Sequence, residues 1–271
     1  MDFRKSRICI IGGKGRMGSW FASLFQQAGI DAVVSDRKDS PISDTIVTSS
    51  DVIMLATPLT AIEEIMKSVG KFIRSDALLL DISSVKRDPV DLMLKYSQCE
   101  VIGMHPLFGP STASLDGQVF FLCPSRVSRW MNPLRSFLED AGAKITLIDP
   151  DEHDKLMACF QTLRHVLLTC LGSTLIEMGF ASCQEIDSAG MWFDKLLEMM
   201  RHQFKQPSGL YADLALGNPY SVGMLKMFLK NFNDLAHHIS TGDRDRLVSD
   251  MDEVAQFCAV EAKSDNSAWG W

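Results

Sequence analysis

The sequence predicts an α/β protein with an N-terminal Rossmann domain, built on a doubly wound parallel sheet, and a C-terminal all-helical dimerisation domain. From residue 7 to about residue 150, short apolar runs alternate with amphipathic helical segments, which is typical of parallel strands joined by crossover helices. Beyond Asp149 the apolar residues recur at helical spacing. We therefore expect a dinucleotide-binding domain over residues 1–150 and a helical substrate-binding and dimerisation domain over residues 151–271.

The predicted strands are short apolar runs separated by helical segments or turn residues. The first helix, over residues 16–28, follows a glycine-rich loop and ends at Gly29, a typical helix stop. In chain order the predicted strands span residues 7–11, 32–35, 52–56, 78–82, 100–104, 119–123 and 145–148.

The composition indicates a folded enzyme. The 271 residues are 46% hydrophobic and 23% charged, enough chain to bury two cores. The net charge is −7, and the Lys and Arg residues are scattered among more numerous acidic residues rather than clustered as a nucleic-acid backbone requires, so we expect no nucleic-acid partner. The apolar run near the start is too short for a signal peptide or a membrane span, so we expect a cytoplasmic location and no membrane partner. The seven cysteines are scattered without a Cys-x-x-Cys pair, so we expect no metal.

A glycine loop follows the first predicted strand and opens the first helix. It reads Gly13-Lys-Gly15-Arg16-Met17-Gly18, a G-x-G-x-x-G pattern. In this pattern Gly13 makes the tight turn, Gly15 lets the backbone approach a pyrophosphate, and Gly18 allows close packing of helix on strand. We include Arg16 and Met17 among the cofactor-binding candidates.

An acidic residue stands where a dinucleotide fold binds the adenosine ribose. Asp36 follows the second strand, eighteen positions after Gly18. Its carboxylate would accept hydrogen bonds from both ribose hydroxyls and repel a 2′-phosphate, which favours NAD over NADP, although Arg37 beside it softens that exclusion. Thr57 and Pro58 end the third strand and are expected to flank the cofactor.

His105 is the predicted catalytic base. It follows the strand over residues 100–104, where Pro106, Gly109 and Pro110 indicate a constrained loop, and loops at that edge of the sheet carry function. A histidine near neutral pKa can take a hydroxyl proton while the carbinol hydride leaves for NAD. The alternative is a core histidine satisfied by one hydrogen bond.

Other candidates lie after the fourth strand and in the helical half. Ser84 and Lys86 follow a buried strand, with helix capping as the alternative for the serine. His153 and His165 are twelve residues apart and are expected to share one face of the first long helix, with structural roles as the alternative.

Taken together, these segments resemble the prephenate and arogenate dehydrogenases of tyrosine biosynthesis, in the branch that carries His-Pro-Met-Phe-Gly-Pro. The resemblance covers most of the chain. Its matching segments are Gly13-Lys-Gly-Arg-Met-Gly18, Asp81-Ile-Ser-Ser-Val-Lys86, Gly103-Met-His-Pro-Leu-Phe-Gly-Pro110, Glu152-His-Asp154, Leu163-Arg-His165 and Leu210-Tyr-Ala-Asp213.

The resemblance implies an NAD-dependent oxidative decarboxylation that converts prephenate to 4-hydroxyphenylpyruvate, or arogenate to tyrosine. It implies that His105 is the base, that Ser84 holds the C4 hydroxyl and His105 in register, that His153 orders the site near the nicotinamide, and that His165 contacts the substrate side chain. It also implies a homodimer formed through the helical domain. Met-rich segments such as residues 196–200 and 222–228 fit either a core or such an interface.

The chain departs from the family at one position. Family members carry an arginine for a substrate carboxylate shortly before the segment matching Leu210-Tyr-Ala-Asp213, and His202 stands there in this sequence. Arg201 is adjacent, but neighbouring helical positions point about 100° apart, so it does not simply inherit the role. We therefore take Arg164, Lys86, Arg201 and His202, together with His165, as the substrate-binding candidates.

Three alternatives remain open at this stage. A specialised relative would oxidise a prephenate analogue such as 4-amino-4-deoxyprephenate in secondary metabolism. A β-hydroxyacid dehydrogenase would need a catalytic lysine on a helix after the Rossmann half, and residues 161–177 contain none. A non-catalytic NAD-binding protein is favoured only by His202, whereas Ser84, His105 and His165 argue for chemistry.

Overall fold

The computed structural model describes residues 2–36, 42–182 and 190–259, so Arg37 lies outside the described residues. In this part of the chain, strands form one seven-stranded sheet in the order β2-β1-β3-β4-β5-β6-β7. The strands are β1 (Arg7–Ile11), β2 (Asp31–Ser35), β3 (Val52–Leu55), β4 (Leu78–Asp81), β5 (Glu100–Pro106), β6 (Val119–Arg126) and β7 (Lys144–Leu147). These bounds agree with the predicted strands to within a few residues.

The sheet is parallel except between β5 and β6, which pair antiparallel. The expectation of an all-parallel sheet is wrong at this pair. The physical reason is the connection over residues 107–118, which contains no helix, and a parallel return needs a crossover that is usually helical. The pairing also extends β5 beyond its predicted end, so that it includes His105 and Pro106.

Helices cover both faces of the sheet, which confirms the doubly wound α/β class. The helices of this half are α1 (Arg16–Gln27), α2 (Asp44–Ser49), α3 (Leu59–Val69), α4 (Arg87–Tyr96) and α5 (Met131–Asp140). Because side chains of a strand alternate between faces, Ile8 and Ile10 of β1 pack with α1 and α5, and Cys9 and Ile11 pack with α3 and α4.

From Asp149 onward the described residues are helical, as predicted. The chain continues through α6 (Pro150–Met157), a π-helical segment (Ala158–Leu163), α7 (Arg164–Glu177), α8 (Met191–Gln203), α9 (Ser208–Gly217), α10 (Ser221–Thr241) and α11 (Arg244–Ala259). The side chain of Asp149 accepts hydrogen bonds from the backbone of Asp151 and Glu152, and Pro150 takes the first helical position, so α6 begins with a complete cap.

The chain divides into two compact units, one up to Ser221 and one from Val222 onward. The first unit holds the sheet with the helices up to α9, and the second holds most of α10 together with α11. The predicted domain boundary at residue 150 stays a prediction. Within the described ranges, none of the helices combines the length and apolar character that crossing a membrane requires.

Candidate active site

The glycine loop lies at the carboxyl end of β1, which pairs with β2 on one side and with β3 on the other. Gly12 has a φ of +83° and donates its N–H to Ser35 over 2.8 Å. A Cβ at Gly12 would lie 2.5 Å from the carbonyl oxygen of Ala56, and one at Gly18 would lie 2.5 Å from that of Gly12. The loop therefore closes only with glycines at these positions. The residue with positive φ is Gly12, one position before Gly13, which was expected to make the tight turn.

The start of α1 is suited to an anion. Its N-cap is Gly15, its first turn carries no acidic residue, and no side chain among the described residues caps it, so backbone N–H groups there are available to a phosphate. Thr57 follows β3 beside Gly12, and its hydroxyl is buried without a partner in the described part of the chain. Asp36 directly follows β2. This arrangement fits a dinucleotide.

A cavity of about 700 Å³ adjoins α1 in the first compact unit. Several predicted residues line it, namely Met17, Ser84, His105, Arg164, His165 and His202. Of the predicted catalytic and substrate-binding residues, Lys86, His153 and Arg201 are not among the described residues that line it. The remaining walls are Ile82, Pro106, Leu107, Phe108, Gly109, Pro110, Met157, Phe160, Gln161, Leu168, Glu198, Met199, Gln203, Gln206, Leu210, Tyr211 and Leu214.

His105 lies at the penultimate position of β5, and only 2% of its surface is exposed. Its Nδ1 lies 2.8 Å from Nε2 of His153, and its Nε2 lies 3.4 Å from the amide nitrogen of Gln161 in the π-helical segment. Burial, and then the charges of His153 and Lys86, hold the pKa of His105 well below its usual value. His105 is thus a neutral imidazole on the cavity wall rather than a loop residue.

His153 lies between His105 and Asp154. Its Nδ1 lies 2.8 Å from Oδ1 of Asp154, and burial followed by the charge of Lys86 lowers the pKa of His153 to about 3. The π-helical segment lies between α6, which carries His153, and α7, which carries His165, so the twelve-residue separation of the two histidines does not keep the α-helical spacing on which the predicted shared face depends. Of these two histidines, only His165 borders the cavity.

Lys86 is fully buried and pairs with the carboxylate of Asp81. Its Nζ also donates to the carbonyl oxygen of Met104 over 3.1 Å. Because its ammonium group is bound inside the protein and Lys86 does not line the cavity, this arrangement does not support the predicted contact between Lys86 and a substrate. Ser84 borders the cavity, and the capping alternative for it is wrong, because α4 has no local side-chain cap within the described residues. Instead, Asp154 accepts the N–H groups of Lys86 and Arg87.

Arg164 and His165 form the other end of the cavity. A guanidinium nitrogen of Arg164 lies 2.8 Å from Nε2 of His165, whose ring packs on Tyr211 with centroids 4.3 Å apart. Burial, and then the charge of Arg164, lowers the pKa of His165 to about 4. The Nδ1 of His165 and the side-chain oxygen of Gln203 are buried without partners among the described residues, so both can receive a ligand.

Among the described residues, no group of three or more His, Cys, Asp or Glu side chains is placed to hold a metal ion.

Two family models match consecutive parts of the chain. The prephenate dehydrogenase nucleotide-binding domain matches residues 24–147, and the prephenate dehydrogenase dimerization domain matches residues 149–253. The chain belongs to the prephenate/arogenate dehydrogenase family.

Individual relatives agree with this membership. A probable arogenate/prephenate dehydrogenase of Methanocaldococcus jannaschii is 30% identical over 94% of this chain and 62% of its own length. A T-protein of Enterobacter agglomerans is 27% identical over 94% of this chain and 68% of its length. The chain thus spans about two thirds or less of these relatives. The solved prephenate dehydrogenase of A. aeolicus, in complex with hydroxyphenyl propionate and NAD+, has the same fold, with a TM-score of 0.73, 22% identity, and coverage of 94% and 96% of the two chains.

The structure shows where His202 lies, the residue at the position where the family resemblance led us to expect an arginine. His202 lines the cavity near the end of α8, and Glu198 lines it one turn earlier. Arg201 is exposed. Among the described residues that line the cavity, the side chain with a permanent positive charge is that of Arg164. The guanidinium of the cavity therefore comes from α7.

Several residues of the candidate site were not predicted as functional. These are Gly12, Asp81, Asp154, Gln161, Glu198, Gln203, Gln206 and Tyr211. Two signals in the sequence pointed to some of them. Gly12 directly precedes the recognised pattern, and Asp154 stands in the Glu152-His153-Asp154 segment. Asp81 and Tyr211 likewise stand in segments that carry the family resemblance, whereas Gln161, Glu198, Gln203 and Gln206 reach the site only through tertiary packing.

Proposed function

We propose that the protein catalyses the NAD-dependent oxidative decarboxylation of prephenate or arogenate, giving 4-hydroxyphenylpyruvate or tyrosine. The observation that carries this proposal is that neutral His105 and Ser84 border the same cavity as Met17, which belongs to the glycine loop. A base therefore stands beside a dinucleotide site. Family membership and the names of the relatives support the choice of substrate class.

His105 takes the proton of the hydroxyl at ring carbon C4. A neutral imidazole accepts that proton directly, and Ser84 on the same wall can hydrogen-bond the hydroxyl oxygen. NAD, when bound, supplies the acceptor for the hydride that leaves C4. The bond from C1 to its carboxylate breaks as carbon dioxide departs, and its electron pair completes the aromatic ring. The oxygen on C4 then takes a proton back from His105, which gives the phenol of the product and restores the neutral base.

The cofactor is held by residues at the carboxyl ends of β1, β2 and β3. The first turn of α1, with Gly13, Gly15, Arg16, Met17 and Gly18, takes the pyrophosphate. Asp36 binds the adenosine ribose and favours NAD over NADP, and Thr57 and Pro58 flank the cofactor. The contribution predicted for Arg37 lies outside the described residues.

The substrate side chain binds between α7, α8 and α9. We assign its carboxylate to Arg164, because a guanidinium binds a carboxylate through two parallel hydrogen bonds. His165 and His202 complete this end of the cavity. Because His202 stands where an arginine was expected, 4-amino-4-deoxyprephenate is a second candidate substrate and is included in the assay below.

We also propose a homodimer formed through the helical domain. The support is the dimerization-domain model over residues 149–253 and a set of exposed apolar side chains on α10 and α11. They include Met227, Phe232, Ile239, Val254 and Phe257. Light scattering on the purified protein would measure the mass directly. The cytoplasmic location stays a prediction.

The test is an NADH-production assay with NAD and, side by side, prephenate, arogenate and 4-amino-4-deoxyprephenate at matched concentrations. We expect turnover of prephenate or arogenate, with an aromatic product. In the variant His105→Asn, turnover should fall by at least about 100-fold, because the general base is lost, while NAD binding is kept. Reaction of the amino analogue alone would assign a specialised pathway. No NADH from any of the three would overturn the proposal and favour a non-catalytic NAD-binding protein.

A further inference from the structure

A continuous row of hydrogen bonds runs from Asp154 through His153 to His105. We propose that Asp154 is a positioning residue that sets the tautomers of both histidines, so that the lone pair on Nε2 of His105 faces the substrate. This inference rests on the proposed function, since it concerns the same base. It assigns a role to a carboxylate that does not border the cavity.

The row begins at a carboxylate whose two oxygens are both acceptors. Oδ1 of Asp154 accepts the backbone N–H of Lys86 over 2.7 Å, and Oδ2 accepts that of Arg87 over 3.0 Å. Burial raises the pKa of Asp154, while these two N–H groups and the charge of Lys86 oppose that rise. A proton on either oxygen would compete with a backbone donor at the start of α4, so the ionised form fits the site. His153 must then donate from Nδ1.

The remaining protons follow by elimination. His153 is neutral at pH 7 because its pKa is about 3, so with a proton on Nδ1 its Nε2 can only accept. Nδ1 of His105, 2.8 Å away, therefore donates to it. Nε2 of His105 is left with a lone pair. The amide nitrogen of Gln161, a donor, lies 3.4 Å from that Nε2, which agrees with this assignment.

The arrangement gives His105 the correct form for its reaction. A histidine with its proton on Nε2 could not accept the substrate proton there, and a free imidazole favours that form, so the site has to override it. Serine proteases use an aspartate in the same way, in direct contact with the catalytic histidine. Here one more histidine stands between them. The Lys86–Asp81 ion pair lies beside the row. Burial is the main reason that the pKa values of both histidines are low, and the charge of Lys86 lowers them further, so both imidazoles are neutral.

The direct test reads the tautomers by NMR. Long-range ¹H–¹⁵N correlations of the full chain, labelled with ¹⁵N-histidine, report which ring nitrogen carries the proton, and only six histidines need assignment. At pH 7 we expect the proton on Nδ1 in both His105 and His153. A proton on Nε2 of His105 would overturn the proposal. Because this readout needs no substrate, it separates failure of the tautomer assignment from failure of the proposed reaction.

The variant Asp154→Ala removes the acceptor. We expect His105 to shift toward the form with the proton on Nε2, and kcat to fall by about 100-fold with KM changed less than twofold. The matched control is Glu100→Ala. Glu100 is also a buried carboxylate at the start of a helix, and it accepts the backbone N–H groups of residues 128–130. It should lower stability and leave the tautomer of His105 unchanged. An unchanged tautomer in folded Asp154→Ala would show a merely structural role.

A second pair of variants serves if Asp154→Ala does not fold. His153→Gln keeps a carbonyl oxygen within reach of His105, whereas His153→Leu has no acceptor. We expect His105 to retain its proton on Nδ1 in the glutamine variant and to lose that preference in the leucine variant, with kcat following the tautomer. Equal tautomers in the two variants would contradict the relay.

Discussion

Arg16 donates a hydrogen bond from its guanidinium to the side-chain oxygen of Gln206 over 2.6 Å. Arg16 belongs to the glycine loop and is the first residue of α1, whereas Gln206 follows α8 and lines the cavity. One hydrogen bond thus connects the expected phosphate site with the helical wall of the substrate cavity. Residues that lie 190 positions apart in sequence meet there.

This hydrogen bond leads to a prediction about NAD affinity. If Arg16 turns to a phosphate when NAD binds, Gln206→Ala removes a competitor and should lower the KM for NAD by about two- to fivefold, the equivalent of one exposed hydrogen bond. Arg16→Ala should raise that KM by about fivefold or more. Steady-state kinetics at saturating substrate would measure both. An increase in KM for NAD in Gln206→Ala would show instead that the bond holds Arg16 in place for the cofactor.

We expect the two candidate arginines for the substrate carboxylate, Arg164 and Arg201, to differ in their effect on the KM for prephenate. Arg164→Ala should raise the KM for prephenate by about 10- to 100-fold, because a charge-assisted hydrogen bond to a carboxylate contributes about 1.5–3 kcal/mol. Arg201→Ala is the matched control, since Arg201 is exposed and does not line the cavity, and its KM should change less than twofold. If Arg201→Ala has the larger effect, the carboxylate binds on α8.

Glu198 is the acidic residue among the described cavity walls, and it bears on substrate choice. Arogenate carries an ammonium group where prephenate carries a keto oxygen, and a carboxylate nearby attracts the ammonium. Glu198→Gln should therefore lower kcat/KM for arogenate relative to prephenate by about three- to tenfold. Competition between the two substrates measures the ratio. An equal effect on both substrates would exclude Glu198 from selectivity.

Stability should depend on pH through the buried histidines. The folded-state pKa of His153 is about 3 and that of His165 about 4, both below the usual 6.5, so the unfolded chain binds more protons in acid. The free energy of unfolding is therefore highest above pH 6.5 and falls as pH drops toward 4. For fully buried His153 the loss between pH 7 and pH 5 is on the order of 1–2 kcal/mol.

Urea unfolding at pH 7 and pH 5 measures this difference. In His153→Gln the difference between the two pH values should shrink, because one of the buried imidazoles is gone. His202→Gln is the control, since its side chain is exposed and should leave the difference as in the wild type. A pH difference unaffected by His153→Gln would place the acid sensitivity elsewhere.

Local pattern predicted much of the site. The strand before Gly13 and the helix after Gly18 are visible as an apolar run and an amphipathic segment, so the glycine loop could be placed without coordinates. His105 follows the predicted strand over residues 100–104, and the carboxyl ends of neighbouring parallel strands lie at one edge, so its proximity to the cofactor site was predictable too. These features depend on residues close together in the chain.

Lys86 and Asp154 show where local pattern stops. Lys86 follows a strand and was predicted to bind the substrate, yet it is buried, and Asp81, five residues earlier, supplies its counter-charge. The carboxylate that caps α4 comes from Asp154, 68 residues later, and no spacing rule links the two segments.

The sequence by itself determined the strands and helices, the glycine loop and the histidine at the sheet edge, because these depend on side-chain periodicity and on the backbone preferences of glycine and proline. The tertiary structure alone decided the antiparallel pairing of β6, the burial of Lys86, the position of Arg164 on the cavity wall and the row from Asp154 to His105. These depend on contacts between residues far apart in the chain, whose pairing is set by how the helices and the sheet pack.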